Sequence, residues 1–245
     1  MIQIERDGAI AVLRMCAGKA NAMNLRLFDA LVKALDDAAD AHALVITGEG
    51  NAFSAGLALP ELIDLDRTGM GDLIDRLEDT MYRVLTWPGA TVAAINGHAV
   101  AGGCVLALMC DVRLMVDGNA KIGLNEVQLG IGLPSIVVEV LRARVSPAAF
   151  ATIALEGPLM LPHEALELAL VDDVSANLDA KARTAAGVRA TSPQAYAQIK
   201  TAQLAPLLSA WRARRPIERE SWLDSWFSPT AQRALRAAVD RLTKR

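Results

Sequence analysis

Several large protein classes leave marks that this chain does not carry. Its three cysteines, Cys16, Cys104 and Cys110, form no CxxC pair and have no histidine cluster beside them. Two of them sit inside apolar runs, where a free thiol packs as a small hydrophobe, so a reducing cytoplasm is expected rather than a disulfide framework. No apolar run reaches membrane-spanning length, and residues 1–8 resemble neither an export leader nor a transit helix, so no membrane partner is expected. The formal net charge is −3 and no block of like charge occurs, which leaves no basic surplus for a nucleic acid. The dinucleotide pattern GxGxxG, the GxSxG elbow of serine hydrolases and metal-ligand spacings are missing as well. Gly97 to Gly102 opens like a phosphate loop, but Gly103 and Cys104 stand where that loop needs Lys and Ser or Thr. No metal and no separate cofactor is therefore expected.

What the chain does have is core material. Its 245 residues are 53% hydrophobic, enough for one large domain or one and a half. Apolar residues at 2–6 and 10–15 flank Asp7-Gly8, the pattern of a hairpin. From Leu25, with Asn24 as its cap, Leu27, Phe28, Leu31, Leu35 and Ala38 recur at helical spacing. Residues 43–47, 91–95 and 111–116 are short apolar runs bounded by breakers, as in strands covered on both faces, and the third follows a helix opened by Gly102-Gly103. In the second half Ser146-Pro147, Leu161-Pro162, Ser192-Pro193 and Ser228-Pro229 predict helix starts, and only residues 170–174 read as a strand. With no Gly/Ser linker and no internal repeat, the expected architecture is α/β: a core over residues 1–190 and a helical C-terminal lobe of the same domain over 191–245.

Two loops and one acid carry the chemistry. Phe53-Ser54-Ala55-Gly56-Leu57 and Ala101-Gly102-Gly103-Cys104 each follow a strand, and each can aim a main-chain N–H at a developing negative charge. Glu126 follows them among Leu124, Val127 and Leu129, apolar neighbours that would raise its pKa. Together they fit removal of a proton beside a thioester carbonyl, with the enolate oxygen held by two amides. Each piece also has a plainer reading: the glycines let a helix lie close to a strand, Phe53 and Leu57 tuck a loop over the core, and Glu126 is a solvated surface glutamate.

The ordered set Asn21-Ala22-Met23-Asn24, Ile46-Thr47-Gly48, Phe53-Ser54-Ala55-Gly56, Ile95-Asn96-Gly97, Ala101-Gly102-Gly103, Cys110-Asp111 and Gln128-Leu129-Gly130-Ile131 resembles the crotonase, or enoyl-CoA hydratase/isomerase, superfamily. The resemblance spans nearly the whole chain and implies a crotonase-like (ββα)n spiral core. It implies an acyl-CoA thioester substrate, amides of Leu57 and Gly102 as oxyanion donors, and a coenzyme A path along Ala55, Gly56, Leu57, Ala58 and Leu59, with backbone near Lys19, Ala20 and Ala22. Hydratases of the family use two glutamates. The first aligns with Val105 and the second with Glu126. One acid without the other resembles the mitochondrial-type Δ3,Δ2-enoyl-CoA isomerases of fatty acid β-oxidation, whose Ala-Gly-Gly-Cys and Gly-Leu-Asn-Glu-x-Gln-Leu-Gly-Ile stretches match residues 101–104 and 123–131. Glu126 would then shuttle a proton from C2 to C4. Ala58 departs from the family's usual Asp in that loop, so the side chain that often fastens it is missing here.

Of the histidines, His98 is read as a pocket-wall residue, and His42 and His163 as ordinary residues near helix ends. Residues 211–216, rich in arginine, read as a solvated turn, or else as facing CoA phosphates or a neighbouring subunit. The stripe of Leu235, Val239 and Leu242 needs a partner surface, and the resemblance implies a homotrimer or a dimer of trimers. The rivals are an enoyl-CoA hydratase or other crotonase-type thioester enzyme, using an acid such as Glu61 or Glu139, and a non-catalytic acyl-CoA binding subunit.

Overall fold

The computed structural model describes residues 1–243, the Lys19 side chain excepted. The first half repeats a strand–strand–helix unit. β1 (Ile2–Asp7) and β2 (Ile10–Met15) form the antiparallel hairpin, turned at Gly8, whose φ of 58° glycine adopts without a Cβ clash. α1 (Leu25–Asp37) starts where its cap predicts, Asn24 Oδ1 accepting the Leu27 N–H at 3.1 Å. β3 (Ala43–Gly48), β4 (Ala52–Ser54), short α2 (Leu59–Leu62) and long α3 (Arg67–Leu85) follow. Next come β5 (Ala90–Ile95), β6 (His98–Val100) and α4 (Gly102–Met109). The fourth unit is β7 (Val112–Val116), β8 (Ile122–Gly123), a 3-10 turn at Glu126–Leu129 and α5 (Ser135–Arg144).

Beyond them lie α6 (Pro147–Phe150), a π turn at Ala151–Glu156, α7 (Pro162–Glu167), β9 (Asp173–Ser175), α8 (Leu178–Arg189), α9 (Pro193–Trp226) and α10 (Pro229–Thr243). All four proline pairs therefore open helices, and Ser146 and Ser228 cap theirs by accepting the N–H of Ala149 and Ala231. Among the described residues no helix is long and apolar enough to cross a membrane.

The strands make two sheets. One has the order β1-β2-β3-β5-β7-β9 and is parallel except for the first pair; the other, β4-β6-β8, is parallel throughout. Alternate residues of the large sheet feed different cores, as a period of two requires. Val12, Val45, Val92 and Leu114 pack under α8, while Leu13, Ile46, Ala93 and Ile95 join the main core. α4 is apolar all round and buried along its whole length, the pattern of a helix at the centre of a molecule.

Three expectations need correction. The small sheet lies where the sequence reads as loops, because strands of two or three residues carry no alternation to detect. Pairing of the last strand begins at Asp173; Leu170 and Val171 are buried before it as core residues. Residues 211–216 form no turn: they lie inside α9, which continues through Pro206 and Pro216. Proline removes a helix hydrogen bond, but here the helix is seated on α3 and α5 by buried Leu204, Leu208, Trp211, Trp222, Leu223 and Trp226. Arg215 there reaches Glu78 at 3.0 Å and Asp79 at 2.7 Å, and Arg214 reaches Glu139 at 3.1 Å. The apolar stripe of α10 finds its surface within the chain, on α2 and the 3-10 turn at 126–129, with Leu235 buried and Leu242 left exposed.

Candidate active site

The small sheet brings the two glycine loops together. β4 and β6 are neighbours, so the turns that leave them meet: a Cβ on Gly56 would lie 2.8 Å from the Val100 carbonyl and 3.1 Å from the Gly102 nitrogen. Gly56 also has φ of 84°, a conformation L side chains rarely adopt. The glycine pair divides its work. A Cβ on Gly103 would stand 2.2 Å from the Ser54 carbonyl, so this residue lets α4 lie against β4, whereas the nearest atom for Gly102 is the Met23 sulfur at 3.1 Å. Ala101 before them takes φ of 50°, a strained value for a residue with a Cβ, and its N–H is held by the Gly123 carbonyl at 2.9 Å.

The loop at residues 55–58 is fastened without an aspartate. The Met23 N–H donates to Gly56 O and the Ala58 N–H to Met23 O, both at 2.8 Å. Asn21, itself left-handed at φ of 48°, donates to the carbonyls of Ala52 and Phe53, and Ser54 Oγ donates to Asn21 O and accepts the Gly56 N–H. Ala58 occupies the N-cap of α2 with no side-chain cap, the place where an Asp would accept a helix N–H. Among the described residues no hydrogen-bond partner is found for the N–H of Leu57 or of Gly102.

One cavity of about 360 Å³ collects most of the expected site: Ala55, Leu57, Leu59, Gly102 and Glu126 line it. Glu126 is 7% exposed, and its Oε2 is buried with no partner among the described residues. Burial pushes its pKa up to about 7. The same burial, reinforced by the Glu126 charge, raises the Cys104 thiol. Of the three neighbours expected to desolvate the acid, Leu129 lines the cavity and Leu124 is buried, but Val127 is 41% exposed and turned away.

Ala20, Ala22, Gly56 and Ala58 stand outside the cavity lining. Ala20 O accepts the Ala55 N–H at 2.9 Å and Ala58 is buried, so this stretch backs the loop rather than walling the space. The Lys19 side chain lies outside the described residues. His98 is not a wall of the cavity: it is exposed on β6, and its Nδ1 accepts the Lys121 N–H at 3.0 Å. Glu61 is on the outer side of α2 with Asn24 and Arg26, and Glu139 is paired with Arg142 and Arg214, so neither acid reaches the cavity.

The far walls are Ile74 and Leu77 from α3, inside the stretch 60–86 to which the sequence leaves pocket depth without offering a motif, and Trp222 from α9 with Ala238 and Leu242 from α10, which sequence reasoning missed. Their i, i+3 and i, i+4 spacing signals an apolar helix face, but nothing in it distinguishes a face against a cavity from one against the core.

A family model described as enoyl-CoA hydratase/isomerase matches residues 5–236. A Bacillus subtilis protein bearing an enoyl-CoA hydratase name is 29% identical over 98% of this chain and 96% of its own length. Mouse mitochondrial enoyl-CoA delta isomerase 1 is 32% identical over 71% of this chain and 62% of its own. The crystal structure of human mitochondrial Δ3,Δ2-enoyl-CoA isomerase superposes with a TM-score of 0.92 at 27% identity, covering 99% of this chain and 98% of that one. With the family pattern running almost from end to end and the fold matched along its full length, the chain belongs to the enoyl-CoA hydratase/isomerase family and has the crotonase fold.

Proposed function

We propose that the protein is an isomerase that converts a 3-enoyl-CoA into the trans-2-enoyl-CoA. The observation that carries this is the solitary acid: among the described residues lining the cavity Glu126 is the one carboxylate, and Val105, which the family resemblance aligns with the first glutamate of hydratases, lines the same cavity. Glu126 takes a proton from C2 of the acyl group. The electron pair moves toward the thioester carbonyl, and the resulting dienolate oxygen is held by the N–H groups of Leu57 and Gly102. The same carboxyl group returns the proton to C4, which leaves the double bond at C2. No water is consumed and no second acid is needed.

Two amide donors at about 3 kcal/mol each and a placed base worth about 10²- to 10⁴-fold suffice for a proton shuttle of this kind. A pKa of about 7 suits a group that must both accept and return the proton. Exposed Ala55 marks where the coenzyme A arm leaves the cavity, passing the backbone that Ala20, Ala22, Gly56 and Ala58 support. Three free cysteines suit a reducing compartment such as the cytoplasm.

Hydration is the second reading, favoured by the hydratase names of bacterial relatives. Product analysis separates the two. Isomerisation turns 3-enoyl-CoA into a 2-enoyl thioester of unchanged mass, and 2-enoyl-CoA gains no water. A 3-hydroxyacyl product from 2-enoyl-CoA at comparable rate overturns the isomerase reading, and tight binding of both thioesters without turnover makes the protein an acyl-CoA carrier instead.

A further inference from the structure

The cavity has an open and a blind end. Ala55, Arg241 and Leu242 are exposed, whereas Ile74, Leu77, Val105 and Trp222 are buried. The blind end is stiff. Trp222 Nε1 donates to the Gly132 carbonyl at 2.9 Å, the Gly132 N–H donates to Ser225 Oγ at 3.0 Å, and the indole stacks on fully buried Trp226 with centroids 5.4 Å apart. Swinging the ring aside would break this part-buried hydrogen bond and disrupt the stack on Trp226. α10 also lines the cavity, through Ala238, Arg241 and Leu242, while its Val239 packs on the main core and its Arg236 pairs with Asp64.

We propose that Trp222, with the buried Ile74 and Leu77 that line the same cavity, is the stop that sets acyl-chain length, so that the substrates are straight-chain 3-enoyl thioesters of short to medium length and chains of palmitoyl length are rejected. This rests on the isomerase reading, which supplies the double-bond position; the length limit rests on the cavity alone. Each methylene that enters apolar space improves binding by about fourfold. The gain ends where the chain meets an indole that cannot yield.

Two readouts test it. One is kcat/KM for 3-hexenoyl-, 3-octenoyl-, 3-dodecenoyl- and 3-hexadecenoyl-CoA, and the other is the dissociation constant of the matching saturated thioesters, which needs no turnover. In the wild type both should improve with length and then reverse before the longest chain. Trp222→Ala should raise the dodecenoyl-to-hexenoyl ratio at least tenfold. Leu77→Ala, a smaller truncation on α3, should move it the same way by less, and Leu77→Trp should move it toward the short chain. The proposal is overturned if the wild type takes hexadecenoyl- as well as octenoyl-CoA, or if folded Leu77→Ala and Leu77→Trp proteins keep the wild-type ratio. Failure of the isomerase reading would look different: no chain length would give a 2-enoyl product, while the saturated thioesters would still rank by length.

Discussion

Glu126 combines burial with an unpartnered oxygen, and both have consequences for pH. Its pKa in the folded protein, about 7, lies above the ordinary 4.5, so the buried acid is tolerated best when neutral. This group's contribution to folding is fully present below pH 4.5 and is lost as the pH rises through 7, a change of about 3 kcal/mol. Glu126→Gln should therefore flatten that part of the stability profile and be the more stable protein above pH 7, as read from denaturant midpoints across pH. In turnover the sign is opposite, because the base must be ionised: kcat should rise with pH through about 7. The Gln variant should lose about 10²- to 10⁴-fold in kcat with little change in thioester affinity. A second single-residue test concerns Gly103. Placing a Cβ 2.2 Å from the Ser54 carbonyl forces α4 off β4, so Gly103→Ala should cost about 3 kcal/mol or more, measured by thermal melting.

At the level of elements, α9 depends on its neighbours. Glu78 of α3 is 3% exposed and accepts from Ser135 Oγ at 2.8 Å, from the Ile136 N–H at 3.2 Å and from Trp211 Nε1 at 3.3 Å, while Arg215 supplies the opposing charge. Arg215→Ala would leave that carboxylate buried without its cation and should destabilise the fold by about 3 kcal/mol, with Arg215→Lys recovering part of the loss. The double variant Glu78→Gln/Arg215→Ala should be less damaged than Arg215→Ala alone, since the buried charge is gone. Helix starts and the long strands were legible because caps, prolines and apolar runs are local signals. The small sheet was not, since Ala52–Ser54, His98–Val100 and Ile122–Gly123 become strands only by pairing with one another.

Across the whole molecule, the large sheet is wrapped on one side by α8 and on the other by the main core, and α10 folds back to roof the cavity of its own chain. Apolar side chains nevertheless remain outside near the 3-10 turn at Glu126–Leu129: Val127 at 41%, Leu155 at 67% and Leu159 at 37% exposure. Such a patch fits burial in an assembly, and the family resemblance points to a homotrimer. Light scattering coupled to gel filtration should then give three times the 26.1 kDa chain mass, or twice that again, and Leu155→Glu should lower it toward the monomer.

The sequence by itself determined the two glycine loops, the acid at position 126 and the α/β class of fold, because each depends on residue types at short spacing; that Val105 stands where hydratases carry a second acid is what the family resemblance implies. It also supplied Asn21, Asn96 and Asp111, whose side chains clip loops and strands: Asn96 Oδ1 accepts the Gly48 N–H, and Asp111 holds Thr91 and Lys200. Only the tertiary structure decided that Trp222, Ile74, Leu77 and Leu242 share one cavity with Glu126, that Glu139 and Glu61 do not, and that Arg215 is the cation of the buried Glu78. Burial, and with it the pKa of a carboxyl group, depends on elements far apart in the chain meeting at one place, and no local pattern encodes that meeting.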